Sequence, residues 1–137
     1  MVTYKHKEVT QEIIGAFYAV YNALGYGFLE KVYENSLAIE LRHRGLQVEA
    51  QKPITVYYRD EVVGDYFADL VVNDVVIVEI KAVKELANEH EAQLLNYLKA
   101  TPYEVGLLLN FGPKPERVRR AYDNSNKPNI NINLPDK

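Results

Sequence analysis

Cysteine is missing altogether from the 137 residues of this chain. Its absence excludes disulfide bonds, zinc sites built from thiolates and a cysteine nucleophile. Any metal that the protein binds must therefore be held by oxygen or imidazole ligands.

Long apolar runs are missing as well. The longest, such as Val75–Val78 and Gly106–Leu109, are far shorter than the roughly 20 residues that a membrane helix requires. The N-terminal residues Met1–Glu8 contain basic side chains but not the apolar stretch of a signal peptide. We therefore expect a cytoplasmic protein that makes no membrane contact.

The chain also lacks an excess of positive charge, since its formal net charge is −3. This sign disfavours a protein that coats duplex nucleic acid by electrostatics alone. It counts less against a protein that gathers carboxylates around divalent ions, because bound ions offset those charges. Basic residues cluster at 42–44 and again at 114–120, and each cluster alone is typical of a solvated surface.

What remains is ordinary globular composition, with 47% hydrophobic and 26% charged residues. The length suits one domain with one core, so a single domain is expected to hold the whole function. We place that domain at residues 1–112. Residues 113–137 are rich in Asn and Pro and are expected to form a loop-like tail, with an edge strand at Ile130–Leu134 as the alternative.

Hydrophobic periodicity predicts an α/β fold. Spacings of three and four residues indicate helices at Thr10–Leu24, Leu29–Arg44 and Asn88–Ala100, the last opened by a capping box of Asn88 and Glu91. Alternating or apolar runs indicate strands at Gln47–Gln51, Ile54–Arg59, Tyr66–Val72, Val75–Lys81 and Glu104–Asn110. The last strand is almost wholly apolar, which suits an interior strand reached by a helical crossover, so the sheet should be mixed.

The segment from Asp69 to Lys81 carries the most chemical information. Side chains alternate along a strand, so Glu79 and Lys81 share one face. Asp69, Glu79 and the main-chain carbonyl of Ile80 would offer the hard oxygen ligands that Mg²⁺ prefers. Such an ion suits phosphodiester hydrolysis, with Lys81 orienting the attacking water or stabilising charge on the phosphate. The alternative is a structural salt bridge near a strand end, which is the commoner origin of an isolated E-x-K tripeptide.

Two helices add polar residues to this set. On the third helix His90, Gln93 and Tyr97 fall within a narrow arc beside the apolar stripe, where they could bind a phosphate or a metal-bound water. On the second helix Glu30 projects into the apolar arc, where a carboxylate is costly without a cationic partner. A capping box with Gly27, or an outward-reaching side chain, would also explain Glu30. Glu40 projects onto the same arc and is expected to pair with an Arg.

Residues 27–33, Gly-Phe-Leu-Glu-Lys-Val-Tyr, resemble the signature of the GxxExxY protein family. Asp69, Glu79-Ile80-Lys81 and Gln93-x-x-x-Tyr97 resemble the PD-(D/E)XK nuclease pattern to which that family is assigned. The similarity runs from about Ile13 to Gly112 and includes Gln51–Ile54, His90–Thr101 and Gly106–Gly112. Ala68 stands where the superfamily name has proline, and the tail from Pro113 lies outside the resemblance.

The resemblance implies a restriction-endonuclease-like core, a central mixed sheet flanked by helices. It also implies a site of Glu30, Asp69, Glu79, Lys81, Gln93 and Tyr97, with Glu30 near a Mg²⁺ or Mn²⁺ ion held by Asp69, Glu79 and Ile80. The expected function is metal-dependent cleavage of nucleic acid, DNA rather than RNA. The alternative is a non-catalytic module that binds nucleic acid or a protein. Assembly as a homo-oligomer and a targeting protein partner are both left open.

A shared metal ion at Asp69 and Glu79 requires a particular strand register in the hairpin at Asn73-Asp74. A regular two-residue turn would pair Asp69 with Val78 and put Asp69 on the face opposite Glu79. One ion could then not bind both carboxylates. We therefore predict an odd register shift, supplied by a three-residue turn or by a β-bulge near Asp69.

Overall fold

The computed structural model of the protein describes residues 5–127. Its helices are α1 (Lys7–Leu24), α2 (Glu30–His43) and α3 (Asn88–Lys99), and a 3-10 turn follows at Asn124–Asn126. Its strands are β1 (Val48–Tyr58), β2 (Glu61–Val72), β3 (Val76–Lys81), β4 (Val105–Phe111) and β5 (Pro115–Ala121). No helix within this described part is long and apolar enough to span a membrane. The alternative edge strand at Ile130–Leu134 lies outside the described residues.

The five strands form one sheet in the order β1-β2-β3-β4-β5. Neighbouring strands are antiparallel except β3 and β4, which run parallel and are joined through α3. Every residue of β4 is buried, as its apolar sequence predicts for an interior strand. The predicted α/β class and mixed sheet are therefore confirmed.

Helices cover the two faces of the sheet unequally. α1 and α2 pack on one face, where Phe17 and Leu37 meet the even-numbered β3 residues Val78 and Ile80. α3 packs on the other face, where Leu94 meets Ile77. Because side chains alternate along β3, the odd-numbered Glu79 and Lys81 belong to the α3 face.

The turn between α1 and α2 fixes where α2 begins. Gly25 and Gly27 adopt positive φ angles of 68° and 116°, which glycine tolerates best. The Tyr33 hydroxyl donates to the Gly25 carbonyl (2.6 Å) and accepts from the Phe28 N–H (3.2 Å). Its ring stacks on Phe111 with centroids 4.4 Å apart. Tyr33 therefore anchors the turn that leads into Glu30.

We expect Tyr33→Phe to lower the free energy of unfolding by about 1 to 2 kcal/mol, because it leaves two backbone groups at this turn without their partner. Chemical denaturation of the two proteins measures the difference. Tyr26→Phe is the matched control, since Tyr26 lies in the same turn and is 62% exposed. Equal stabilities of Tyr33→Phe and the wild type would show that the hydroxyl does not hold the turn.

Three local expectations differ from the structure. The segments predicted as two strands, Gln47–Gln51 and Ile54–Arg59, form the single strand β1, which turns at Gln51 with φ 53°. Pro53 does not interrupt it, because β1 is an edge strand and an outward-facing N–H is dispensable there. The Asn88–Glu91 capping box is wrong: Ala87 is the N-cap, and His90 Nδ1 accepts from its N–H at 3.0 Å.

The third difference concerns the start of the tail. Pro115–Ala121, expected to be loop, form β5 and pair along the whole length of β4. Charged residues dominate this strand, so its sequence lacks the apolar alternation that predicts the other strands. Strand β5 is held by its backbone hydrogen bonds to β4 and by Val118, which packs against the core on the α3 side of the sheet.

Candidate functional site

The β2–β3 hairpin sets the relation between the two candidate acids. Val72 pairs with Val76 across a three-residue turn, and the ladder continues to Leu70 opposite Val78. One further step in this register sets Asp69 opposite Glu79, so both positions share a face of the sheet. The predicted odd register shift is therefore confirmed, and the turn supplies it. Asn73 and Asp74 both adopt positive φ angles there, which short polar side chains tolerate.

Side chains take over where the backbone ladder ends. Asp69 Oδ2 accepts a hydrogen bond from the Ile80 N–H at 2.8 Å. Glu79 Oε2 accepts one from the Asp69 N–H at 2.9 Å. Each carboxylate thus ties its own strand to the other, and the two acids are held side by side at the end of β3.

Burial makes this arrangement electrostatically costly. Burial raises the pKa of the Glu79 carboxyl to about 8, and the charge of Asp69 adds to the rise. Burial also raises the pKa of Asp69, and the Ile80 N–H opposes that effect only in part. Lys81 lowers the pKa of both acids, but the net shift remains upward. Lys81 therefore does not offset the cost of ionising both carboxyl groups at this buried position.

In the absence of divalent ions, we expect Glu79→Gln to be more stable than the wild type at pH 8.5. Between the ordinary pKa near 4.5 and about 8, folded Glu79 keeps a proton that the unfolded chain has released. The free energy of unfolding of the wild type therefore falls as pH rises through this window. Glu79→Gln does not lose stability in this way, because glutamine has no proton to release. The gain should reach a few kcal/mol above pH 8, at about 1.4 kcal/mol per pKa unit.

Thermal melts in a chelator between pH 5 and 9 provide the measurement. The two melting temperatures should converge near pH 5 and separate as pH rises. Glu61→Gln, at an exposed position of β2, is the matched control. Parallel pH profiles for wild type and Glu79→Gln would contradict the buried, proton-retaining carboxyl.

Helix α2 brings further acids toward this pair. Glu30 is its first residue and is exposed, rather than packed in the apolar arc. No side-chain cap forms at this end and the N-cap is Leu29, so the capping box with Gly27 is absent. The charge of Glu30 nevertheless raises the pKa of both Asp69 and Glu79, so it acts on the site. Glu40 pairs with Arg44 at 2.9 Å, as predicted.

Glu34 and Gln51 were missed by the sequence analysis. Glu34 is 4% exposed and lies one turn after Glu30 on the same face of α2. Its carboxylate accepts from Gln51 Nε2 at 2.9 Å and pairs with Lys31 at 2.8 Å. Gln51 Nε2 also reaches Asp69 Oδ1 at 3.5 Å, so it bridges the two acids. The four-residue spacing from Glu30 was the signal that could have revealed Glu34.

Helix α3 contributes Gln93 and Tyr97. Gln93 Nε2 donates to the Tyr97 hydroxyl at 2.7 Å, and Tyr97 is only 6% exposed. Burial raises the pKa of Tyr97, the Gln93 hydrogen bond lowers it, and the charges of Glu79 and Asp69 raise it further. The charges of the two acids therefore act on the Tyr97 hydroxyl, which is on the same side of the sheet as α3. His90, which the sequence placed on the same ridge, instead caps the helix through its Nδ1.

The side chains near Asp69 and Glu79 can be compared with the oxygen ligands that a divalent ion requires. Among residues 5–127, no three His, Asp or Glu side chains are gathered closely enough to enclose an ion. Asp69 and Glu79 offer two adjacent carboxyl groups, and the upward shift of both pKa values shows that the surrounding protein does not compensate their ionised charge. Mg²⁺ is commonly held by one or two carboxylates and retains several waters, so two carboxylates are enough. The residues present fit such an ion.

The comparisons with known proteins agree with this architecture. A protein-family model described as the PD-(D/E)XK nuclease superfamily matches residues 7–121. The crystal structure of a protein named SSO0001 has a similar fold, with a TM-score of 0.52 and 18% sequence identity. The alignment covers 85% of this chain and 59% of that one. No curated protein matches the chain in sequence. Because the family model spans most of its length, the chain belongs to the PD-(D/E)XK nuclease superfamily.

Proposed function

We propose that the protein is a metal-dependent nuclease that hydrolyses phosphodiester bonds in nucleic acid, with DNA as the expected substrate. The observation that carries the proposal is the register that sets Asp69 opposite Glu79, with Lys81 on the same face two residues later. Two acids and one base on one face are what this hydrolysis requires. We also propose that the chain is a cytoplasmic member of the GxxExxY family.

In this proposal Asp69, Glu79 and the Ile80 carbonyl hold Mg²⁺ or Mn²⁺. The Ile80 N–H points toward Asp69, and the N–H and C=O of one strand residue face the same edge. The Ile80 carbonyl therefore lies on the β2 edge, beside the two acids. When bound, the ion would lower the pKa of a water and neutralise charge on the scissile phosphate.

The protein's own residues would position the reactants. Lys81 carries a positive charge on the face of the two acids, where it can hold the attacking water or a phosphate oxygen. The Gln93–Tyr97 pair can donate a hydrogen bond to a second phosphate oxygen. We assign Glu30, which is exposed and whose charge raises the pKa of both acids, to the water shell of the ion. Glu34 and Gln51 hold the Asp69 side chain in place.

The second candidate is a non-catalytic module of the same fold. The observation that favours it is that Asp69 and Glu79 already accept backbone hydrogen bonds that tie β2 to β3. In such a module these acids would be structural, and the protein would act by binding nucleic acid or a protein partner.

A nuclease assay separates the two candidates. Single- and double-stranded DNA and the matching RNA are incubated with wild-type protein in Mg²⁺, in Mn²⁺ or in a chelator, beside identically purified Lys81→Ala. We expect ion-dependent cleavage that Lys81→Ala lowers at least about 1,000-fold. Lys84→Ala, an exposed lysine three residues later, is the matched control and should cleave as the wild type. No cleavage of any substrate, or equal cleavage by Lys81→Ala, would reject the nuclease.

A further inference from the structure

The β1–β2 hairpin extends well beyond the rest of the sheet. β2 is 12 residues long and β3 only 6, so residues 61–68 of β2 have no backbone partner on the β3 side. Tyr66 lies on this extension, opposite Ile54, which is buried against α3. Directly opposed residues share a face, so Tyr66 faces α3 as well.

A cleft of about 500 Å³ lies between the hairpin and α3. Its lining includes Val56, Gly64, Tyr66, Gln93, Asn96 and Tyr97, and we call it the Tyr66 cleft. The volume is within the range of small-molecule sites. Gln93 and Tyr97 belong both to this cleft and to the candidate site, so the two adjoin.

Tyr66 gives the cleft an aromatic wall that is open to solvent. Its ring is 5.7 Å from the Tyr97 ring at a tilt of 46°, so the two rings do not stack on each other. Tyr66 is 47% exposed, whereas Tyr97 is almost fully buried. A planar ligand can therefore lie against Tyr66 and beside Tyr97, which also belongs to the candidate site.

The other lining groups favour a neutral planar ligand over a phosphate. The amides of Gln93 and Asn96 offer donors and acceptors, as the edge of a nucleobase requires. Glu89 and Lys99 are the charged residues of the lining, and their charges cancel. A phosphate would find no net positive charge in this cleft.

We propose that the Tyr66 cleft holds one unstacked base of a single-stranded nucleic acid, placing the adjoining phosphodiester at the candidate site. A base in a duplex must first be unpaired and unstacked, which costs free energy, whereas a single strand presents its bases directly. The net charge of −3 also offers little general attraction for a duplex backbone. The link to cleavage rests on the proposed function, but binding in the cleft does not.

Tryptophan fluorescence tests the proposal directly, because the chain contains no tryptophan. Tyr66→Trp keeps an aromatic wall and places a single tryptophan at the cleft, whose emission can be excited selectively over that of the tyrosines. Tyr58→Trp is the matched control, since Tyr58 is on the same hairpin, 55% exposed and outside the cleft lining. Both are titrated in a chelator with single-stranded oligothymidylate, with the same strand lacking its bases, and with a duplex.

We expect the oligothymidylate to quench the emission of Tyr66→Trp and to leave that of Tyr58→Trp unchanged. The strand without bases should not quench either protein. Equal quenching of the two proteins, no quenching of Tyr66→Trp, or quenching as strong with the duplex as with the single strand would overturn the proposal.

Affinity measured by fluorescence anisotropy of labelled oligothymidylate gives a second readout. Tyr66→Ala should weaken binding roughly ten-fold or more, and Tyr66→Phe should bind as the wild type. Ala92→Leu, on the α3 wall, should also weaken binding because it fills the cleft without changing Tyr66. Wild-type affinity in Tyr66→Ala and Ala92→Leu would overturn the proposal.

Cleavage assays on the same samples distinguish a wrong assignment of the Tyr66 cleft from a wrong assignment of nuclease function. Binding lost in Tyr66→Ala from a wild type that cleaves nothing would support the cleft and reject the nuclease. Efficient duplex cleavage by a wild type that does not bind the single strand would reject the cleft and support the nuclease.

Discussion

Asp69→Ala and Glu79→Ala are each expected to lose both divalent-ion binding and cleavage, whereas Lys81→Ala loses cleavage alone. The β2–β3 register, continued by one step, sets Asp69 opposite Glu79, and each carboxylate bonds the backbone of the other strand. Removing either acid would therefore leave an ion with one of its two carboxylate ligands. Lys81 offers no acceptor and cannot be a ligand while it is charged. Its loss should lower the rate by a factor of about 10³ or more while the ion remains bound.

Calorimetry with Mg²⁺ and single-turnover cleavage, performed on the same samples, measure the two effects separately. Asp69→Asn and Glu79→Gln repeat the test with side chains of the same shape that can still accept the backbone hydrogen bonds. Glu40→Ala is the matched control, because this acid pairs with Arg44 away from the site. Unchanged Mg²⁺ affinity in Asp69→Ala would refute the ligand assignment.

Gly112→Ala is expected to destabilise the fold by about 3 kcal/mol or more, because there is no space for a side chain at this position. A Cβ atom would overlap the Val83 carbonyl oxygen and lie 2.9 Å from Asn110 Nδ2. Asn110 is fully buried and its amide bonds the Val83 N–H and carbonyl, which holds the loop after β3. The variant would have to break this clamp or move the backbone, and both are costly in a packed interior.

The change at Gly112 should also impair the site, since Val83 is two residues from Lys81. Chemical denaturation gives the stability, and the nuclease assay at low temperature gives the activity of the folded fraction. Gly15→Ala is the matched control: its Cβ would meet only the end of the Arg44 side chain, and alanine favours the α1 helix. A Gly112→Ala protein as stable as Gly15→Ala would contradict the clamp.

Much of the fold was predictable because strong local patterns agree with its packing. The apolar spacing of α1 reflects a stripe that packs on the sheet, and the apolar sequence of β4 reflects burial on both faces. The predicted odd register between Asp69 and Glu79 followed from the chemistry of one shared ion, and the three-residue turn at Asn73-Asp74-Val75 provides it.

Other features depend on contacts that a local pattern does not contain. β5 forms because β4 offers an unpaired edge, although its own residues are mostly charged. The spacing of Glu34 from Glu30 places the two acids on one helix face, but only the fold brings Gln51 between Glu34 and Asp69. His90 has the helical phase of a site residue, but its Nδ1 accepts a hydrogen bond from the Ala87 N–H at 3.0 Å and so caps the helix instead.

Diffraction from crystals soaked in Mn²⁺ tests most directly whether Asp69 and Glu79 share one divalent ion. Anomalous scattering identifies manganese independently of the protein atoms, so the measurement requires no substrate and no turnover. We predict one strong peak in contact with both carboxylates in the wild type, and its loss in crystals of Glu79→Gln. Absence of a peak between the two acids in the wild type, or a peak that persists in Glu79→Gln, would contradict the metal-dependent site.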